Sequence, residues 1–254
     1  MKSRAKLAKS HQKKTYLILA LLLALGFSAF YVSKYGFLTG DVTSAHVYGK
    51  PELSIEQIQL DVFYAIPNDK EQYNKSILEE KLDILLPKIE SFHKNQFGKR
   101  SVISYRVFPA PVVLFDTGFF YDTSDTRFGN PEALKAITLE LESRVYDKQG
   151  DLYNEQFITP AGHYRVIAII YEGVGASGTE GSILLSRDFI SKDEYTQVGA
   201  SLFYHEFGHA IGIPEGYDIY TNNPFTNDIM GSGRRAPIEN NYIDQSTLKE
   251  MGVF

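Results

Sequence analysis

Residues 205–218 read HEFGHAIGIPEGYD, and this stretch decides what the chain is. The preceding residues, TQVGASLFY from Thr196, are small and apolar, with Val198, Leu202, His205 and His209 at helical spacing. In a helix, positions i and i+4 lie one turn apart on the same face, so His205 and His209 can aim their imidazoles at one ion. Zinc accepts such nitrogen ligands in tetrahedral geometry, and a catalytic site keeps its fourth position for water. Glu206 follows the first histidine, about 100° around the helix, where its carboxylate can take a proton from that water. Gly212 supplies the left-handed turn that stops the helix after His209, and Pro214 cannot continue it.

The segment HEFGHAIGIPE resembles the signature of the metzincin metallopeptidases. The downstream NDIMGSG, Asn227–Gly233, looks like the Met-turn of the same clan, with Met230 as the floor beneath the metal ligands. The resemblance places Glu215 where the third zinc ligand is expected, usually a histidine and sometimes an aspartate. Carboxylate oxygen is an acceptable zinc ligand. Asp218, three residues on, is the rival third ligand, and Glu239 is the only residue that could play the distant glutamate of thermolysin-like enzymes. One carboxylate ligand would leave the metal a net charge of +1 and make it a weaker electrophile.

What the resemblance implies is an α/β (α+β) metzincin-like catalytic domain. Such a domain has a twisted, mostly parallel sheet with an antiparallel edge strand, an active-site helix and a small C-terminal subdomain. It also implies one catalytic Zn2+, a peptide or protein substrate, and a cleft roofed by an edge strand. GSILLSR, residues 181–187, stands in the place of that strand, with Ser182, Ile183, Leu184 and Leu185 as its core. Tyr217, Tyr220 and Tyr242 are candidates to stabilise an oxyanion. The expected activity is hydrolysis of peptide bonds by an exported or membrane-anchored zinc endopeptidase. The competing readings are a non-catalytic exported zinc-binding module and a zinc hydrolase acting on a non-peptide amide.

The rest of the body reads as mixed strand and helix. LSIEQIQLDVFYAI (53–66), SVISYRVF, PVVLF and HYRVIAIIYE (163–172) have strand character. Residues 71–97 carry Ile77, Leu78, Leu82, Ile84, Leu85 and Ile89 at helical spacing, with Pro87 as a kink or break. A second helix opens at Pro131, and Asp244–Gly252 reads as a closing helix. GVGASG (173–178) matches a dinucleotide-binding fingerprint in letters, but it runs into the strand-like GSILLSRDFI rather than a helix, so it reads as a mobile glycine loop. Asp122 and Asp125 in the loop DTSDTRFGN make calcium conceivable, though the loop misses the EF-hand pattern.

The 254 residues include no cysteine, which excludes disulfides, cysteine-ligated zinc and thiol nucleophiles. Charge is unevenly placed. Through Gly36 there are seven basic residues and no acidic ones, leaving 19 of the 26 basic residues against all 31 acidic ones. An acidic body argues against a nucleic-acid partner. Tyr16–Val32 is uncharged and largely apolar behind a basic flank, which reads as a signal anchor. The expected organisation is a basic cytoplasmic tail (1–15), a membrane-spanning anchor (16–36), a linker (37–50) and a metallopeptidase domain (51–254). That places the chain in the cell membrane, single-pass with the N-terminus inside, or in the secreted fraction if a signal peptide is cut near Gly26.

Overall fold

Apolar residues in the central strands point in both directions along the chain, and this sets the architecture. The computed structural model describes residues 44–216 and 226–254. In chain order the elements are β1 (His46–Val47), β2 (Lys50–Ser54), β3 (Gln57–Ile66), α1 (Lys75–Phe97), β4 (Val102–Val107), β5 (Val112–Val113) and α2 (Gly118–Tyr121). They continue with α3 (Pro131–Leu141), β6 (Tyr164–Tyr171), β7 (Ala176–Thr179), β8 (Ser182–Ser186), α4 (Asp188–Ser191), α5 (Gly199–Ala210) and α6 (Gln245–Glu250).

The main sheet runs β4-β3-β6-β8-β7, with β5 also paired to β3. Every pairing is parallel except β7 with β8, which is antiparallel. This is the mixed α/β fold with a mostly parallel sheet and an antiparallel edge strand that the sequence leads one to expect. Successive strand residues face opposite ways. Ile58, Leu60 and Val62 of β3, with Val166 and Ala168 of β6, pack towards α1 and α5. Phe63 and Ala65 of β3, with Ile167 and Ile169 of β6, pack towards α3. Both faces are covered, so these strands read as nearly continuous apolar runs.

α1 continues through Pro87 without breaking there. A proline inside a helix costs about 3 kcal/mol. Leu85, Leu86 and Ile89 around it are all buried, and each such side chain contributes about 1.5–3 kcal/mol, which outweighs that cost. Asn74 caps the helix through its side chain, which accepts from the Ser76 and Ile77 amides.

Three expectations need correcting. The stretch 37–50 is not linker throughout: β1 and β2 form an antiparallel hairpin in which Ala45 and Val47 are fully buried. His46 N–H donates to Met251 O and Tyr48 N–H to Ile211 O, so the hairpin belongs to the same compact unit as the rest of residues 44–254. Secondly, GVGASG is not simply a loop, because its last three residues open β7. Thirdly, the membrane placement is withdrawn, since no helix among the described residues is long and apolar enough to cross a membrane. Neither the single-pass topology nor the secreted alternative has support in this structure. The tail 1–15, the stretch 16–36 that prompted the expectation and residues 37–43 lie outside the described residues.

Candidate metal centre

α5 brings His205, Glu206 and His209 to one end of the sheet, against β7, and their ligand atoms lie within 4.8 Å of one another. The two imidazoles meet edge-on, with centroids 4.9 Å apart. His205 Nδ1 lies 3.0 Å from Ile229 O and His209 Nδ1 lies 2.9 Å from Ile213 O. A carbonyl only accepts, so both Nδ1 atoms carry the proton and donate. Both Nε2 atoms therefore present bare lone pairs to the space between them, the arrangement that orients histidine for metal binding.

That space is closed by Glu215. Its Oε1 lies 3.7 Å from His205 Nε2 and 3.4 Å from His209 Nε2. Ligand bonds of about 2.0–2.2 Å in tetrahedral geometry put ligand atoms about 3.4 Å apart. The observed separations match the edges of such a tetrahedron and exceed ordinary hydrogen bonds. Two imidazole nitrogens and one carboxylate oxygen form a donor set that suits zinc.

Local turns explain how Glu215 arrives there. The helix ends with Ile213 N–H donating to Gly208 O and Gly212 N–H donating to His209 O, a Schellman-type ending. Gly212 adopts φ +85°, and a Cβ there would stand 2.8 Å from Val47 Cγ1. Both the left-handed backbone and the N-terminal hairpin thus require glycine. Beyond it, Ile213 O is held by His209, and Gly216 N–H donates to Met230 O at 2.9 Å. Glu215 lies between these two fixed points.

Met230 is buried beneath α5, where a Cβ on Gly208 would stand 2.3 Å from its Sδ. The methionine fills the notch left by a glycine one residue before His209. Its turn is closed by Gly231 N–H donating to Asp228 O, and Asp228 Oδ1 accepts from the Met230 amide. Because Ile229 O accepts from His205 Nδ1, the same turn packs under α5 and fixes the His205 ring.

Electrostatics follow the geometry. Burial raises the Glu206 carboxyl above the ordinary carboxylate range, against the opposing pull of His205 and His209. Burial acts the same way on Glu215, but the two imidazoles, when protonated at Nε2, override it by pairing and hold that carboxyl far below its usual range. For His209, burial lowers the affinity for a proton, yet pairing with Glu215 outweighs it and the net shift is upward.

Other expected residues fall elsewhere. Asp218, Tyr217 and Tyr220 lie outside the described residues. Tyr242 lines a cleft with Asn95, Gln96 and Ile243, and its backbone pairs with Asp228. Glu239 pairs with Lys88 at 3.2 Å instead of approaching the histidines. Asp122 accepts from Tyr171 and the Val174 amide, while Asp125 is engaged by Arg127, so the two carboxylates are not turned to a common calcium.

The edge-strand assignment also changes. Ser182, Ile183, Leu184 and Leu185 lie on β8, buried between β6 and β7, with both edges of the strand already paired. The sheet ends at β7. A Cβ on Gly178 of β7 would stand 2.3 Å from Glu206 O and 2.9 Å from His209 Cβ, so the edge strand rests directly on α5. Sequence reasoning missed Gly178, Gly208 and Arg234, whose Nη1 lies 3.6 Å from Glu215 Oε2. A glycine three residues after His205 was the one available signal for Gly208.

No protein-family model and no curated protein sequence matches this chain. Among solved structures it is similar to the crystal structure of an archaemetzincin from Methanopyrus kandleri. The identity is 10% and the TM-score 0.41, over 78% of this chain and 96% of that one.

Proposed function

We propose that this chain is a zinc-dependent peptidase, with the metal held by His205, His209 and Glu215 and with Glu206 as general base. The observation that carries this reading is the convergence of both Nε2 atoms on Glu215 Oε1, with each Nδ1 locked to a main-chain carbonyl. When bound, zinc supplies the Lewis acidity that polarises a peptide carbonyl and acidifies a water. Glu206 accepts the proton from the attacking water at its carboxylate and delivers it to the leaving amine. Its raised proton affinity suits that exchange.

β7 takes over the role expected of residues 182–185. Ala176 O already accepts from Asn130 N–H on the outer side of the strand. Strand alternation directs the Gly178 N–H and C=O to that same outer edge, directly above the helix carrying the ligands. An extended peptide added there would lie across the metal centre, held by main-chain hydrogen bonds.

The test is cleavage of an unbiased peptide library by zinc-loaded wild type and Glu206→Gln, with bound zinc counted by native mass spectrometry. The reading expects cleavage by wild type, and about a 10²–10⁴-fold loss in Glu206→Gln with zinc retained. Zinc bound with no peptide cleaved would instead favour a structural metal site or a non-peptide amide substrate.

A further inference from the structure

A carboxylate ligand has two oxygens, and the structure gives those of Glu215 different neighbours. Oε1 faces the two imidazoles at 3.4 and 3.7 Å. Oε2 faces Arg234 Nη1 at 3.6 Å. Arg234 sits in the single helical turn Ser232–Arg235 that follows the Met230 turn, and its side chain is mostly covered. One short segment therefore supplies the floor under the ligand helix, the carbonyl that orients His205 and a cation against the third ligand.

We propose that Arg234 is a positioning residue that engages Oε2 of Glu215 and so presents only Oε1 to the metal. This inference rests on the zinc reading above. A glutamate has one more rotatable bond than an aspartate, and an untethered carboxylate can ligate through one oxygen or both. The guanidinium stays charged across the working pH range and is planar, so it fixes the carboxylate without titrating itself. One-oxygen ligation leaves room for the water that Glu206 serves. The same cation offsets the negative charge that a carboxylate ligand adds, answering the weaker electrophile expected of a His-His-Glu site. Partners of metal ligands typically cost 10–100-fold in metal affinity when removed.

The experiment is a double-mutant cycle read by zinc affinity, using a competing chromophoric chelator and the full chain. Arg234→Gln is compared in the wild-type and Glu215→Ala backgrounds, with Arg234→Lys as the conservative variant. The visible spectrum of the cobalt-substituted proteins reports coordination number. If Arg234 acts through Glu215, Arg234→Gln weakens zinc binding about 10–100-fold in the wild-type background. In the Glu215→Ala background it changes affinity by no more than roughly twofold, because the coupled partner is gone. Arg234→Lys recovers part of the loss, and the cobalt bands of Arg234→Gln weaken as a second oxygen joins the ion. Equal losses in both backgrounds would make Arg234 merely structural, and no loss in either would remove the proposal. Wild type that binds no zinc would sink the zinc reading and this inference together, whereas wild type that binds zinc beside unaffected variants would sink this inference alone.

Discussion

His93 and the pair His205 and His209 stand close together in this molecule, and they differ in one respect. His93, on α1, has both ring nitrogens satisfied: Nδ1 lies 2.8 Å from Tyr204 Oη and Nε2 lies 2.8 Å from Ser101 Oγ. Ser101 donates its own proton to Ile55 O, so it accepts from Nε2–H, and Tyr204 must then donate to Nδ1. The ring stacks on Phe97 with centroids 4.3 Å apart. His205 and His209 each give one nitrogen to a main-chain carbonyl, and the other two nitrogens face the same carboxylate oxygen. A closed hydrogen-bond chain makes a histidine part of the core. A pair that turns its remaining nitrogens towards one point has the geometry proposed above for metal binding. Tyr204 and His205 are adjacent on α5, so one helix serves both ends.

The sharpest way to break that contrast is substitution on each side of it. His205→Ala or His209→Ala should abolish zinc retention and hydrolysis. His93→Leu should keep about one zinc per chain while leaving Tyr204 and Ser101 without their buried partner. Such orphaned groups cost about 1–3 kcal/mol each, so the His93 variant should be read by its melting temperature and zinc count together. Loss of zinc in His93→Leu at a temperature where it stays folded would erase the distinction.

A smaller effect is expected at the third ligand. Glu215→Ala should weaken zinc by more than the 10–100-fold typical of residues that merely support a ligand, as measured by chelator competition. An unchanged affinity would remove Glu215 from the site and return the question to Asp218.

The smallest effect is acid sensitivity. Burial pushes the His93 imidazole down to about 3, from an ordinary value of 6.5. Between those values the unfolded chain binds a proton that the folded chain does not, so stability falls as pH drops below 6.5. The loss approaches about 1.4 kcal/mol per pH unit. Between pH 6.5 and 5.0, melting temperature should fall more steeply for wild type than for His93→Leu. Proton competition at the zinc ligands is common to both proteins and cancels in the difference, so parallel slopes would contradict the buried-neutral assignment.

How far the sequence could be read depends on the range of the interactions involved. His205, Glu206, His209 and Gly212 were legible because helical spacing and a helix-ending turn are local. Met230 was legible only by resemblance to a known turn, since nothing in NDIMGSG itself says that it lies under Gly208. The strand at 182–185 has the apolar character of a strand, but whether a strand is edge or interior depends on its neighbours. The glycine-rich GVGASG hid the true edge, because Gly178 is there to let β7 approach the helix closely. The hairpin at residues 46–54 carries no periodic signal, as its burial comes from contacts with Ile211 and Met251 far along the chain. Arg234 was invisible for the same reason: nothing local links an arginine after a turn to a carboxylate nineteen positions earlier.

The central claim is that two histidines and one glutamate hold a zinc ion with a position left open. X-ray absorption at the zinc edge of the metal-loaded wild type tests it directly. The account predicts two imidazole nitrogens and one carboxylate oxygen at about 2.0–2.2 Å, plus one further light atom from solvent. Three imidazoles in the first shell, or a chain that binds no zinc at all, would contradict it.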